Sequence, residues 1–186
     1  VPGEPNCDLS LLGWHIQAMA AAYNAGVRVD GLEKALTLAS ESMIKIHQAD
    51  KGGFSQGINM RKLPQNENMT PVGLLGLQLL NASTSTPAKR AEKLVADTAL
   101  PRWKKSAAFP LYRWYYQTQN IFYSERGRGK KWDDWNDNMK KELTAAQRGD
   151  GGWNMPGGDN SFRLRNQDDL SIYSTSLCSL MLQVYY

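Results

Sequence analysis

Hydrophobic and polar positions divide the chain into seven segments with helical periodicity, and these segments are of two alternating kinds. In the first kind, apolar residues occur on every face, which is typical of a helix surrounded by protein. In the second kind they form a single stripe, as in residues 131–147, where the spacing is helical for Trp132, Trp135, Met139 and Leu143. No stretch alternates with a period of two residues, and β-branched residues are few. The pattern therefore predicts an all-α fold in which buried and half-exposed helices alternate.

The predicted helices follow one another in a fixed order along the chain. Segments that are apolar on all sides begin at Ser10, after Thr70-Pro71, at Pro110 and at Leu170. Segments with one stripe lie between them, at residues 30–47, after Thr86-Pro87 and at residues 131–147. Helix-terminus signals are expected at Asp30 and Glu33 (a capping box), at Thr70 and Pro71 (an N-cap and first residue), and at Gly26 (a left-handed C-terminal cap).

One loop sequence occurs twice, at residues 48–54 and 147–153, and each copy follows a half-exposed helix. Each copy has a Gln, an Asp, a Gly-Gly pair and then an aromatic residue. The residues expected to shape these loops are Gln48, Gly52, Gly53 and Phe54 in the first copy and Gln147, Asp150, Gly151, Gly152 and Trp153 in the second. A repeated loop between unlike helices predicts stacked helical hairpins, with an inner wall of buried helices and an outer wall of half-exposed ones.

The repeated loops and the helices between them resemble the glutamine–tryptophan repeats of triterpene cyclases of the squalene–hopene type and the repeats of protein prenyltransferase β-subunits. The resemblance covers most of the chain and is carried by residues 8–14, 70–75, 112–119 and 173–177, which are similar to successive inner helices. Residues 114–119 and 132–139, the second Gly-Gly-Trp loop and residues 184–186 also resemble bacterial cyclase-like proteins of unassigned activity.

This resemblance implies a fold class, the α/α-toroid, built from paired inner and outer helices. We expect residues 1–186 to form a single toroid-like domain of about three and a half helical hairpins, fewer than a closed ring needs. We therefore expect a fragment or C-terminal domain of a longer protein. Another domain of that protein, or a protein partner, is expected to bind at the open edges of the partial ring.

Cyclases of this family protonate their substrate with an Asp-x-Asp-Asp motif, in which neighbouring carboxylates keep one carboxyl protonated. The motif is absent from this sequence. Asp133-Asp134 lies on the polar face of its predicted helix. Asp168 and Asp169, and also Asp8, begin predicted inner helices and are the remaining candidates for an acid, although capping of the helix is the preferred interpretation of an Asp at such positions. No catalytic residue is therefore predicted.

The resemblance also raises the question of zinc, which prenyltransferases bind through an Asp, a Cys and a His. The resemblance places Asp8, Ser10 and Ser174 at the corresponding positions. Two of these three side chains are hydroxyl groups, which are poor zinc ligands. A set made from Cys7, Asp8, His15 and Cys178 is the alternative. We predict no metal and no cofactor, and we expect both cysteines to be buried free thiols.

Aromatic residues are concentrated on the predicted inner helices. The residues predicted to contact a ligand are Trp14, Tyr112, Tyr115, Tyr116 and Tyr173, together with Glu67. Aromatic faces can hold an apolar chain, stack on a sugar or stabilise a cation. Packing of the same side chains in the core is the alternative interpretation.

The charge of the chain changes this picture only in part. The net charge is +4, and much of the excess lies in residues 102–105 and 126–131. These basic runs are interpreted as solvated connections between helices, with a phosphate-binding surface as the alternative. No nucleic-acid motif accompanies them, and no run of about 18 uncharged apolar residues is long enough to span a membrane.

The sequence thus favours a noncatalytic domain that binds a protein or an apolar small molecule through its inner helices. An isoprenoid cyclase or transferase whose catalytic acid or metal ligands lie in other sequence is the enzyme alternative. A carbohydrate-active toroid that uses the aromatic residues with Asp8, Glu67 or Asp169 is the third hypothesis.

Overall fold

The computed structural model describes residues 8–57, 67–105, 110–158 and 167–184, and these are predominantly helical. They form α1 (Leu9–Asn24), α2 (Leu32–Ile46), α3 (Met69–Leu79), α4 (Thr86–Ala96), α5 (Pro110–Glu125), α6 (Lys130–Ala146) and α7 (Gln167–Leu182), with a short 3-10 turn at Pro156–Gly158. Within these ranges no strand occurs, and extended pairing is limited to two isolated bridges, Asp8 with Gly57 and His47 with Phe54. The prediction of an all-α fold is confirmed.

The chain divides into two compact units, Val1–Asp97 and Thr98–Tyr186. In the first unit α3 packs against α1, α2 and α4, and α1 also packs against α2. In the second unit α5 packs against both α6 and α7. The expectation of a single domain stays a prediction.

The structure separates the helices that were predicted to be buried on every side into two groups. The α3 prediction is confirmed, because every residue from Met69 to Leu77 is buried. The predictions for α1, α5 and α7 were wrong, since Leu11 is 63% exposed, Tyr123 is 47% exposed and Ile172 is 66% exposed. An apolar composition shows that exposing a helix face to water is unfavourable. It does not show whether another helix packs against that face.

The helices with one apolar stripe bury that stripe as predicted. Trp132, Trp135, Met139 and Leu143 of α6 are all buried. The Nε1 atom of Trp135 donates a hydrogen bond to Oγ1 of Thr118 on α5, at 3.0 Å, so the polar atom of the ring is satisfied inside the core. Burial of each such side chain contributes about 1.5–3 kcal/mol.

Two of the predicted helix-terminus signals are present in the structure. Asp8 is the N-cap of α1, and its Oδ1 atom accepts hydrogen bonds from the Ser10 N–H at 2.8 Å and the Ser10 hydroxyl at 2.6 Å. Gly26 follows the end of α1 with a φ of +87°. That conformation strains residues with a Cβ atom, which explains the glycine.

Two other terminus predictions were wrong. The N-cap of α2 is Gly31, without a side-chain hydrogen bond, so Asp30 and Glu33 do not form the expected capping box. Helix α3 begins at Met69, so Thr70 and Pro71 lie inside its first turn. In both cases the helix begins within one or two residues of the predicted position, and sequence signals do not fix a helix boundary more closely than that.

The two copies of the repeated loop dock their aromatic residues in the same manner. Phe54 and Trp153 are both buried, at 0% and 4% exposed. The backbone N–H of Phe54 donates to Oγ1 of Thr70 on α3 at 3.3 Å, and that of Trp153 donates to Oγ1 of Thr175 on α7 at 3.1 Å. In each copy the first glycine of the pair has a positive φ. Each loop therefore attaches a half-exposed helix to the apolar helix that follows it in the same unit.

The loops differ in what holds the aromatic ring. In the second loop the Trp153 Nε1 atom donates to the carbonyl of Leu143 at 2.8 Å, and the Ser174 hydroxyl donates to the Trp153 carbonyl at 2.5 Å. Outside the core, Arg148 forms an ion pair with Asp150 at 2.6 Å. The hydrogen bond from this guanidinium, together with the Gly152 N–H, lowers the pKa of Asp150 to about 2.

Candidate functional site

Aromatic side chains are concentrated on α5, where helical spacing places them next to one another. The ring of Tyr116 lies 4.9 Å from that of Tyr112 and 5.0 Å from that of Tyr115. Residues four apart share one face of a helix, so the first of these contacts follows directly from the sequence. Tyr116 is completely buried and Tyr115 is 7% exposed, so the cluster anchors α5 in its unit.

Beside this cluster a cleft of about 560 Å³ lies between α5 and α7. Aromatic and aliphatic side chains form most of its lining, and two amide side chains complete it. The lining residues are Tyr115, Gln119, Phe122, Tyr123, Leu180, Gln183 and Val184. The size and the mainly apolar lining are typical of small-molecule sites in proteins.

The polar groups of the cleft are few. Burial raises the pKa of Tyr115 above its ordinary value, and a hydrogen bond with Gln119 offsets this only in part. The phenol is therefore neutral and able to donate a hydrogen bond throughout the physiological pH range. Tyr115 and Gln119 together give one part of the cleft the ability to orient a polar group of a ligand.

Phe122 is held in the cleft wall by its neighbours on both sides. Its ring meets that of Trp132 on α6 edge to face, at 5.1 Å. Gly127, with a φ of +64°, follows the end of α5, and its N–H donates to the Phe122 carbonyl at 2.8 Å. A Cβ atom on Gly127 would lie 2.6 Å from the Phe122 ring. The glycine thus permits the chain to turn directly over the aromatic wall.

The rim of the cleft exposes apolar surface to water. Tyr123 is 47% exposed and Leu180 is 40% exposed. A single exposed apolar side chain is ordinary, but these two line the same cleft from facing helices. Covering them with an apolar ligand would remove that surface from water.

The structure distributes the predicted ligand residues unevenly. Tyr115 lines the α5–α7 cleft, and Tyr112 and Tyr116 form the cluster beside it. Tyr173 is half-buried on α7, Trp14 is 39% exposed on α1 in the other unit, and Glu67 is exposed just before α3. The described contacts bring together the three tyrosines of α5.

Sequence reasoning missed most of the residues that line the cleft. On α5 the sequence could have indicated two of them, because Gln119 and Phe122 follow Tyr115 at spacings of four and three residues and therefore lie on the same helix face. Leu180 lies in the last turn of α7, and Gln183 directly follows the end of that helix. That these residues meet depends on the packing of α5 against α7, which no local pattern encodes.

The candidate acids all have other environments in the structure. Partial burial acts to raise the pKa of Asp8, but its hydrogen bonds with Ser10 and Gln56 outweigh this effect and leave the pKa lowered. A lowered pKa suits a helix cap rather than a proton donor. Asp168 and Asp169 are exposed in the first turn of α7. Asp134 forms an exposed ion pair with Lys130 at 2.7 Å.

The residues considered for zinc are not assembled by the described part of the chain. Across those ranges no group of three or more His, Cys, Asp and Glu side chains is arranged to hold a metal ion. Cys7 lies outside the described residues. Cys178 is a buried free thiol, and burial raises its pKa far above the ordinary range, so it stays protonated. The Ser174 hydroxyl is engaged by the carbonyls of Trp153 and Leu170.

Comparison of the chain with protein-family models, curated proteins and solved structures finds no match. Among the described helices, none combines the length and the apolar character needed to cross a bilayer. The described residues define an all-helical protein.

Proposed function

We propose that this chain is a noncatalytic binding domain whose cleft between α5 and α7 accepts an apolar small molecule with one polar end. A single observation carries the proposal: a cleft of about 560 Å³ is lined by Phe122, Tyr123 and Leu180, with Tyr115 and Gln119 as its polar part. A cleft with this lining binds a ligand by burying its apolar surface and orients it through one or two hydrogen bonds.

The aromatic rings favour an elongated or flat hydrocarbon. Apolar surface contributes about 25 cal/mol per Å² when it leaves water, so the exposed parts of Tyr123 and Leu180 supply a driving force for binding. The neutral Tyr115 phenol suits a hydroxyl or carbonyl group on the ligand better than a charged one. A long-chain isoprenoid alcohol has this combination of properties.

The α/α-toroid architecture belongs to the same proposal. It is supported by the alternation of apolar and half-exposed helices and by the two loops that dock in the same way on α3 and α7. In a partial ring, the exposed apolar side chains of α1, such as Leu11 and Trp14, would be the surface for another domain or a protein partner.

The enzyme alternative, isoprenoid cyclisation or transfer, needs an acid or a metal that reaches the substrate. Among the described residues that line the α5–α7 cleft there is no carboxylate. The lowered pKa of Asp8 does not suit a proton donor. For that reason the noncatalytic proposal is preferred, and an enzyme would need a catalytic group that the described residues of this cleft do not supply.

The test is a displacement assay with a neutral fluorescent hydrocarbon probe, such as N-phenyl-naphthylamine, competed by farnesol. Leu180→Gln is expected to weaken probe binding about fivefold or more, because it puts an amide into an apolar wall. Leu38→Gln is the matched control, since Leu38 is 51% exposed on α2 in the other unit.

Tyr115→Phe tests the polar end of the same cleft. The variant is expected to weaken farnesol, which has a hydroxyl group, more than the corresponding hydrocarbon, farnesene. The proposal is wrong if the wild-type chain does not bind the probe, or if Leu180→Gln and Leu38→Gln weaken it equally. Circular dichroism of each variant checks that the helices are retained.

A further inference from the structure

The connection between α4 and α5 includes a basic segment, residues 102–105, that the structure holds firmly against α6. The backbone N–H of Trp103 donates to Oε2 of Glu142 at 2.7 Å. On the other side of Arg102, the Nδ2 atom of Asn138 donates to the Pro101 carbonyl at 2.8 Å. Trp103 is half-buried and its ring lies 6.2 Å from that of Trp114 on α5. This segment is therefore attached to the second unit and is not a loose connection.

Its basic side chains line a second cleft, of about 620 Å³, beside the C-terminal half of α6. Arg102, Lys104 and Lys105 supply three positive charges to the lining, and Glu142 supplies one negative charge, which leaves an excess of two positive charges. The Glu142 carboxylate already accepts the Trp103 N–H, so part of its capacity is used. Among the described residues, none lines both this cleft and the α5–α7 cleft.

Three cations elsewhere on the chain pair with carboxylates, whereas those of this basic cleft do not in the described part of the chain. Lys89 pairs with Glu92 at 3.1 Å, Lys130 with Asp134 at 2.7 Å, and Arg148 with Asp150 at 2.6 Å. In the described part of the chain, Arg102, Lys104 and Lys105 form no such pair. Like charges around one cleft repel one another, and a bound anion would relieve that repulsion.

We propose that this basic cleft binds the phosphate groups of a polyphosphorylated ligand. Guanidinium and ammonium groups are the side chains that recognise phosphate oxygens, the first through paired hydrogen bonds and the second as a point charge. The anchored backbone holds Arg102 beside the cleft, so less conformational freedom is lost on binding. A free polyphosphate ester and a phosphorylated lipid headgroup share this chemistry.

Calorimetric titration of the full chain with inorganic tripolyphosphate is the direct test. We expect one site per chain, with an affinity that falls as salt is added. Lys104→Gln with Lys105→Gln is expected to weaken binding at least about fivefold, because two charge contacts are lost. The control is Lys34→Gln with Lys45→Gln, which removes the same net charge from exposed positions on α2 in the other unit.

Two further titrations identify the source of the phosphate. Vesicles of phosphatidylcholine containing phosphatidylinositol bisphosphate, compared with vesicles of phosphatidylcholine alone, test a lipid headgroup. A single-stranded oligonucleotide tests nucleic acid. Binding of tripolyphosphate or of the phosphoinositide vesicles that is lost in the Lys104/Lys105 variant supports the proposal and assigns the source.

Three outcomes overturn the proposal. The first is that neither tripolyphosphate nor the phosphoinositide vesicles bind to the chain. The second is that the two double variants weaken binding equally, so that only net charge matters. The third is that the oligonucleotide alone binds. Farnesol displacement is also measured in the Lys104/Lys105 variant. An unchanged farnesol affinity shows that the second unit remains folded, so that a loss of phosphate binding is assigned to the basic cleft and not to the α5–α7 cleft.

Discussion

At the scale of single residues, Gly73 shows how a missing side chain permits the loop to dock. A Cβ atom at this position would lie far inside van der Waals contact with the Phe54 ring. Replacing a helical glycine by alanine ordinarily stabilises a protein by up to about 1 kcal/mol. Here we expect the opposite sign, because the ring cannot move out of a fully buried position without loss of packing.

The prediction is that Gly73→Ala lowers the free energy of unfolding by about 1–3 kcal/mol. Urea denaturation monitored by circular dichroism measures it. Gly149→Ala is the matched control, since a Cβ atom there meets nothing within 4 Å, and it should change stability by less than about 0.5 kcal/mol. A Gly73→Ala protein at least as stable as wild type would contradict the close approach of Phe54 to α3.

The candidate site also shows what single residues reveal before a structure is known. Tyr115 was identified because it is an aromatic residue on an apolar helix, and it lines the cleft. Leu180 and Gln183 were not, because a leucine and a glutamine near the end of a helix have no distinguishing composition. Their part in the cleft comes from a neighbour that is more than 50 residues away in the sequence.

At the scale of elements, the two repeated loops act as connectors, and each forms an equivalent hydrogen bond to the helix that follows it. In both, a threonine hydroxyl of the following helix accepts the backbone N–H of the buried aromatic residue. The bond matters because the N–H group has lost its contact with water, and an unsatisfied buried donor costs about 1–3 kcal/mol.

The corresponding prediction is that Thr70→Val and Thr175→Val each lower the free energy of unfolding by about 1–2 kcal/mol, since valine keeps the shape and removes the acceptor. Thermal and urea unfolding of both variants measure the effect. Thr37→Val and Thr144→Val are controls in the two units, because those hydroxyls are exposed and bond only to carbonyls of their own helices. If only one of Thr70 and Thr175 proved sensitive, the two loops would not be equivalent connectors.

At the scale of the whole molecule, the division into two compact units predicts partial independence of folding. Contacts concentrate within Val1–Asp97 and within Thr98–Tyr186. We expect a fragment of residues 1–97 to be helical and to unfold cooperatively, since its size is sufficient for a core of its own. Urea denaturation followed by circular dichroism is the measurement.

A fragment of residues 1–66 provides the control for that experiment. It lacks α4 and also α3, which packs against the other helices of its unit and whose residues from Met69 to Leu77 are all buried. We expect it to unfold gradually, without a cooperative transition. A gradual transition in the fragment of residues 1–97 as well would mean that the first unit depends on the rest of the chain.

The sequence by itself determined the type of secondary structure and the half-exposed faces of α2, α4 and α6. Helical periodicity is a local property, and a stripe such as Trp132, Trp135 and Met139 has only one side that can be buried. The repeated Gly-Gly-aromatic loops could also be identified from the sequence, because the positive φ at Gly52 and Gly151 is a local requirement of the backbone.

Only the tertiary structure decided which apolar helices are covered and where the clefts lie. Leu11 and Leu74 are both leucines on strongly apolar helices, yet the first is 63% exposed and the second is 2% exposed. The difference is the number of helices packed around them, which residue type does not encode. For the same reason, the α5–α7 cleft and the basic cleft beside α6 depend on contacts between segments that are distant in the sequence, and periodicity along one segment carries no information about its neighbours.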